Sequence, residues 1–237
     1  MPWARHPTMA QRYFVDQLPT AGEFTLGEAV AHHLATVMRT RPGAEIRLGD
    51  GRGATAEAEV LMAGRRELRL RILRHELAPP PAQVIHVAFA PPRLNRAEWL
   101  FEHGTEVGIG VFHPLWTQRS RPQGERPERW LKLVTAAAGQ CDRAWLPAIE
   151  PARDLAEFLA RPDLPARRLL GAGGAPAIRP DPAAAATILL VGPEGGFEAD
   201  EAAAALAAGF VPAGLGPHTL RTETAALVGA ALLLATR

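Results

Sequence analysis

The sequence predicts two domains of different class: a small β-barrel over residues 1–78, then an α/β domain with a mainly parallel sheet over residues 79–237. Three observations predict this. Pro79-Pro80-Pro81 can neither continue a helix nor pair in a central strand, so it reads as a linker. Before it lie short strand candidates separated by Gly-rich turns. After it, continuous apolar runs alternate with helical stretches, the pattern of a parallel sheet buried on both faces.

In the first domain, Glu45–Leu48 is a strand candidate, followed by the turn signal Gly49-Asp50-Gly51-Arg52-Gly53. Gly27–Met38 reads as a helix, with Ala31, Leu34, Ala35 and Met38 on one face. Glu57–Met62 and Glu67–Leu73 read as strands joined through Ala63-Gly64-Arg65-Arg66. Leu68, Leu70 and Ile72 alternate with Arg69, Arg71 and Arg74, which gives one apolar and one cationic face. In the second domain, Val84–Phe89, Gly108–Phe112 and Thr187–Val191 are strand candidates. Arg96–Thr105, Pro127–Gln140 and Asp200–Ala208 are helical, and Pro162–Pro182 reads as loop.

Composition bounds the function. The chain has 237 residues, 47% of them hydrophobic and 22% charged, which excludes a disordered or collagen-like chain. Its single cysteine, Cys141, excludes an intramolecular disulfide and a multi-cysteine zinc site. His32-His33 has no Cys/His cluster beside it and is not spaced to share a helix face, so no metal is expected. No run reaches the ~18 apolar residues of a membrane span, and residues 1–11 lack a signal-peptide core, so a cytoplasmic protein without a membrane partner is expected.

The formal net charge is +1, which on its face argues against a nucleic-acid partner. Local charge argues otherwise. Residues 65–74 carry five arginines against one glutamate, and 119–132 carry four arginines and Lys132 against two glutamates. Residues 151–237 hold seven arginines against nine acids. Near-neutrality is a sum over segregated patches. Lys132 is the one lysine among 26 basic residues, a bias that arginine's bidentate phosphate chemistry or simple genomic composition would each produce.

The strongest local signal is Val191-Gly192-Pro193-Glu194-Gly195-Gly196-Phe197. A buried strand runs into a Gly/Pro loop shortly before a helix. Such a loop is either a tight turn or a place where backbone N–H groups approach a ligand, at the carboxyl end of a strand where open α/β sheets bind ligands. A second loop, Leu215-Gly216-Pro217-His218, precedes Leu220-Arg221-Thr222-Glu223-Thr224-Ala225 and an apolar terminal helix. Thr222 and Glu223 suit a helix's first turn, whereas Arg221 is a cation where the dipole disfavours one. An anionic partner accounts for it.

Together these segments resemble the RsmE family of ribosomal RNA methyltransferases. The resemblance continues upstream through Thr105-Glu106-Val107-Gly108, His113-Pro114-Leu115, Gln118-Arg119-Ser120, Arg129-Trp130 and Ala137-Ala138-Gly139-Gln140. At the N-terminus it takes in His33-Leu34, Val37-Met38-Arg39, Gly43 and Gly49-Asp50-Gly51. It implies a SPOUT-type α/β domain whose C-terminal segment forms a trefoil knot, preceded by a PUA-like RNA-binding β-barrel. It also implies a homodimer that uses S-adenosyl-L-methionine to methylate N3 of a uridine in the decoding region of 16S rRNA in the small ribosomal subunit. A methyltransferase of the same class acting on another RNA such as tRNA, and a non-catalytic RNA-binding protein, are the alternatives.

The resemblance, the local chemistry and the charge pattern together assign residues. Leu170, Gly171, Val191, Gly192, Pro193, Glu194, Gly195, Gly196, Leu215, Gly216, Leu220 and Thr224 are expected around the cofactor. Arg221 is expected to stabilise an anionic uracil or a neighbouring phosphate, with Glu194 or Glu223 orienting or accepting the proton. Arg39, Arg69, Arg71, Arg74, Arg93, Arg119 and Arg121 are expected to face RNA. The chain departs from the family in having His218 where a basic residue is usual and Arg93 where lysine is usual.

Overall fold

The computed structural model describes residues 11–27, 31, 41–64, 66–92, 94–120 and 126–235. The helix expected over Gly27–Met38 lies, apart from Gly27 and Ala31, outside the described residues, as do Arg39, Arg93 and Arg121. The chain divides into two compact units, Met1–Pro80 with Ala138–Leu146, and Pro81–Ala137 with Pro147–Arg237. The first boundary falls inside the triple proline. The excursion of residues 138–146 into the first unit carries no compositional mark.

The first unit is a five-stranded sheet of β1 (Arg12–Phe14), β2 (Glu23–Leu26), β3 (Glu45–Gly49), β4 (Ala54–Ala63) and β5 (Leu68–Leu77). Its order is β1-β3-β4-β5-β2, with β1 parallel to β3 and the other pairs antiparallel. Leu48, Ala58, Val60, Leu68 and Leu70 are fully buried at its centre. The alternation expected in β5 is present as far as Ile72. There the register shifts: Ala58 pairs Ile72 and Glu57 pairs Arg74, so Leu73 is an extra, bulged residue. The bulge returns Arg74 to the outward face and leaves Leu73 49% exposed. Pairing of Ala54 with Leu77 carries both strands beyond the expected Glu57–Met62 and Glu67–Leu73.

The second unit holds seven strands, β6 (Val84–Phe89), β7 (Val111–Trp116), β8 (Ala148–Ile149), β9 (Arg153–Asp154), β10 (Arg167–Gly171), β11 (Ala186–Val191) and β12 (Val211–Ala213). The order is β12-β10-β11-β6-β7-β8 with β9 on β7, and these strands pair in parallel. Its helices are α1 (Leu94–Val107), α2 (Pro127–Gln140), α3 (Leu155–Leu159), α4 (Ala199–Ala207) and α5 (Thr222–Leu234). The α/β alternation is the expected one. The strand expected over Gly108–Phe112 starts at Val111 instead, because the preceding residues close α1. The N–H groups of Gly108 and Ile109 both donate to the Gly104 carbonyl, and Gly108 takes a φ of 115°. β10 emerges from the segment read as loop; its Leu169-Leu170 pair lies in register with Leu189-Leu190 of β11.

Helix α5 is apolar on every side, which suits an element enclosed by α1, β6 and β11. Ala225, Ala226, Gly229, Ala230 and Leu233 are buried along it. Gly229 is required by proximity, since a Cβ there would overlap the side chain of Leu189 on β11. This close packing sets the middle of α5 against β11, and the hydrogen bond from Thr222 Oγ1 to the Gly192 carbonyl holds its start at the carboxyl end of that strand.

Candidate active site

Three loops leave the carboxyl ends of parallel strands on the same side of the sheet. One follows β10, one follows β11, and one lies between β12 and α5. They enclose a cavity of about 440 Å³, a size suited to a nucleoside-like ligand. Seven of its lining residues are glycines: 171, 173, 174, 192, 195, 196 and 216. Where glycines line a wall, the backbone amides and carbonyls form its surface. At Gly173, Gly174, Gly196 and Gly216 an added Cβ would meet nothing within 4 Å, so these backbones border open space. Val191, Pro193, Phe197, Leu215 and Leu220 supply apolar wall, and Glu194 supplies the one carboxylate among the lining residues. Backbone groups for a heterocycle, apolar wall and a carboxylate for a cation form a donor set that fits S-adenosylmethionine.

The loop Gly192–Phe197 is held from several directions. Thr222 Oγ1, in the first turn of α5, donates to the Gly192 carbonyl at 2.9 Å. The Gly196 amide donates to the Pro193 carbonyl at 2.8 Å, closing a turn in which Gly196 takes a φ of 74°. Arg119 Nε lies 2.6 Å from Glu198 Oε1, and its guanidinium also donates to the Gly195 carbonyl. Glu198 and Glu201 form a capping box at the start of α4. The other Glu201 oxygen accepts the Gln118 amide at 2.8 Å. The Gln118 side chain donates to Asp200, which holds that carboxyl below its ordinary range.

The residues expected around the cofactor are therefore largely brought together. Gly171, Val191, Gly192, Pro193, Glu194, Gly195, Gly196, Leu215, Gly216 and Leu220 line the cavity; Leu170 is buried in β10 beneath it, and Thr224 lies outside its wall. The lining further includes Ala172, Pro217, His218, Thr219, Thr222 and Ala225. Gly173 and Gly174 were legible as a glycine pair after a strand, but no spacing tied them to the other loops. Among the expected catalytic groups, Glu194 is exposed on the wall. Glu223 is buried in the first turn of α5. Arg221 is the exposed N-cap residue of α5, between the lining residues Leu220 and Thr222, and its side chain has no ion pair among the described residues.

One residue the sequence did not single out joins both carboxylates. Arg96, from the first turn of α1, places NH1 3.5 Å from Glu194 Oε1 and Nε 3.7 Å from Glu223 Oε1. A lone arginine in an amphipathic helix carries no signal that could have found it.

The described arginines expected to face RNA are exposed, and each has a carboxylate partner. Arg69 and Arg71 both pair with Glu23, at 3.3 and 3.0 Å, and Arg71 also reaches Glu59 at 3.5 Å. Arg74 pairs with Glu76. Arg119 is spent on the cavity loop, as described above. Among the described residues no cluster of His, Cys, Asp and Glu is arranged to hold a metal.

Comparison with known proteins gives concordant findings. A family described as RNA methyltransferase domain matches residues 78–234, and one described as RNA methyltransferase PUA domain matches residues 26–73. The chain is 35% identical to ribosomal RNA small subunit methyltransferase E of Mycobacterium bovis over 238 residues, covering 93% of this chain and 89% of that protein. It is 31% identical to the Synechocystis protein of the same name over 218 residues, covering 87% and 71%. Its fold matches the crystal structure of ribosomal RNA small subunit methyltransferase E from Neisseria gonorrhoeae bound to S-adenosyl methionine, with a TM-score of 0.85, 26% identity and coverage of 94% and 95%. A probable rRNA-methyltransferase from Porphyromonas gingivalis matches with a TM-score of 0.78, 29% identity and coverage of 93% and 95%.

Proposed function

The chain belongs to the ribosomal RNA small subunit methyltransferase E family, and from that premise we propose that it methylates N3 of a uridine in the decoding region of 16S rRNA. The observation that supports the reading is the glycine-walled cavity with Arg221, which has no ion pair among the described residues, beside it. S-adenosylmethionine, when bound there, supplies an electrophilic methyl group on a sulfonium. Gly171, Gly192, Gly195, Gly196 and Gly216 present backbone groups to hold the nucleoside, while Leu215 and Leu220 exclude water from it. Glu194 favours a cation at the mouth.

For uridine N3 to accept the methyl group that the cofactor would supply there, the N3 proton must leave. Arg221 stabilises the uracil anion that its loss creates; an exposed guanidinium already matched by a carboxylate could not do so without breaking that pair. Glu194 is placed to orient or accept the proton, and Glu223 supports it from α5. RNA is drawn to the outer face of β5, where Arg69, Arg71 and Arg74 exchange carboxylate partners for phosphates, and to Arg39, Arg93 and Arg121. The protein acts in the cytoplasm as a homodimer, with the C-terminal segment threaded as a trefoil knot. Trp99 of α1 and Leu232 of α5, 40% and 37% exposed on two helices that pack together, offer apolar surface to a second copy.

The test is incubation with small ribosomal subunits lacking the modification and methyl-labelled S-adenosylmethionine. Label at a single uridine N3 of 16S rRNA is expected. Label in tRNA alone refutes the substrate, and no label in any RNA favours a binding protein without turnover.

A further inference from the structure

Glu194 and Glu223 are unlike each other. Glu223 is 6% exposed, sits in the first turn of α5, and keeps its Oε2 buried with no hydrogen-bond partner among the described residues. It does not line the cavity. Glu194 lines it, but from a loop whose neighbours are Gly192, Pro193, Gly195 and Gly196. An exposed glutamate has wide rotamer freedom, and the hydrogen bonds that hold this loop, from Thr222 to the Gly192 carbonyl and from Arg119 to the Gly195 carbonyl, act on its backbone and not on the Glu194 side chain. Arg96 spans the difference, with one edge of its guanidinium toward Glu223 and the other toward Glu194. A planar fork can serve two carboxylates from two segments at once, which an ammonium on a flexible stem cannot. A buried carboxylate in turn requires a counter-ion, which ties Arg96 to α5.

We propose that Arg96 is a positioning residue that transmits the fixed place of Glu223 to Glu194, so that Glu194 is the carboxylate that meets the substrate and Glu223 is its anchor. This rests on the reading of the cavity as the methyl-transfer site. It divides between two residues, in series, a role for which each was a candidate alone.

The experiment uses the full chain in five forms: Arg96→Met, Glu223→Gln, their double variant, Arg96→Lys and Glu194→Gln. Two measurements are made, steady-state turnover on unmodified small subunits and amide hydrogen exchange of residues 194–197 in the free protein. Glu194→Gln is expected to lower kcat about 100-fold, the scale of a lost proton-transfer group. Arg96→Met and Glu223→Gln each lower kcat about tenfold with the KM for S-adenosylmethionine within about threefold, and the double variant loses no more than the worse single one, because both break the same chain. Arg96→Lys recovers part of the loss. Exchange at Gly195 and Gly196 quickens several-fold in Arg96→Met.

Losses that multiply in the double variant overturn the series arrangement, as does wild-type kcat in Arg96→Met. Unchanged loop exchange in Arg96→Met overturns the tether. Wild-type turnover by Glu194→Gln overturns the role of Glu194 in the reaction, and the exchange measurement, made without substrate, still reports on the tether by itself. Arg96→Met leaves Glu223 buried without its counter-ion; where that prevents folding, the double variant removes the unmatched charge, and Arg96→Lys set against Glu223→Gln decides the same question.

Discussion

The outer face of β5 and the mouth of the cavity both display arginines, and they use them in opposite ways. On β5, Arg69, Arg71 and Arg74 face three glutamates, 23, 59 and 76, so a segment that reads as strongly cationic is locally balanced. At the cavity, Arg96 and Arg119 are likewise committed, to Glu194, Glu223 and Glu198, but Arg221 has no ion pair among the described residues. A cation already matched stiffens the structure; an unmatched one beside a ligand cavity is available for work. The density of arginines along a segment therefore does not tell which of them are free to meet a ligand.

The largest expected effect breaks that comparison at Arg221. Arg221→Ala should lower kcat by about 10²- to 10³-fold, the range for loss of one group that stabilises a developing anion. Affinity for S-adenosylmethionine, measured by calorimetry, should stay within about threefold, because the cavity wall is untouched. A variant that binds cofactor poorly but turns over normally once saturated would make Arg221 part of the cofactor site instead.

Matched and unmatched groups also differ in their response to acid. His86 and His113 lie on adjacent strands with ring nitrogens 3.0 Å apart and rings stacked at 5.3 Å. Burial, and then repulsion from His86, pushes the His113 imidazole down to about 3, and burial pushes His86 down as well. The unfolded chain takes up protons near pH 6.5 that the folded chain refuses, so stability falls as pH drops below 6.5 and continues to fall toward about 3. At pH 5 the His113 contribution is about 2 kcal/mol, from 1.36 kcal/mol per pH unit over roughly 1.5 units. On β5, by contrast, the hydrogen bond from Arg71 holds the Glu23 carboxyl below its ordinary range. Urea unfolding at pH 7 and pH 5 should show the loss, and His113→Gln should flatten it. An equal slope in the variant would place the titration elsewhere.

How much of this was legible in the sequence depends on whether a feature is local. Val84–Phe89 and Pro127–Gln140 have the bounds their patterns predict, since apolar runs and helical periodicity are properties of neighbouring residues. The glycine motif of residues 192–196 and the segment 220–225 could be read for the same reason. Leu73 shows the limit: it puts an apolar residue where the alternation of β5 calls for a polar one, and only the register shift against β4, which makes it a bulge, accounts for it. The partners of Arg69 and Arg71 come from Glu23, more than 40 residues away, so a charge strip and a neutral lattice have the same local sequence. Arg96 was invisible because its meaning lies in two residues from other segments. The excursion of residues 138–146 was hidden likewise: Asp142 takes a φ of 62° in a turn clamped by Arg12 at 2.8 Å and Arg47 at 2.7 Å.

Arg119 sharpens the comparison from the committed side. Its position in a basic segment suggests RNA, whereas its guanidinium is spent on Glu198 and the Gly195 carbonyl. Arg119→Met should therefore weaken S-adenosylmethionine about tenfold, the value of a charge-assisted hydrogen bond that orders the loop. The salt dependence of RNA binding should hardly change. A flatter salt slope with intact cofactor affinity would return Arg119 to the RNA surface.

The smallest effect tests whether the β5 arginines are held in reserve. Glu23 accepts from Arg69 and Arg71 on an exposed surface, where ion pairs contribute little to stability, so Glu23→Gln should leave Tm within about 3 °C of wild type. Releasing two guanidiniums from a carboxylate should nevertheless add up to two phosphate contacts, steepening the log–log salt dependence of RNA binding by about one to two. Arg69→Ala alone should do the reverse only weakly, since it removes a cation that Glu23 already neutralises. If Glu23→Gln leaves the slope unchanged while Arg69→Ala flattens it by a full contact, then Arg69 engages phosphate without giving up its carboxylate, and pairing in the free protein does not predict which arginines reach the RNA.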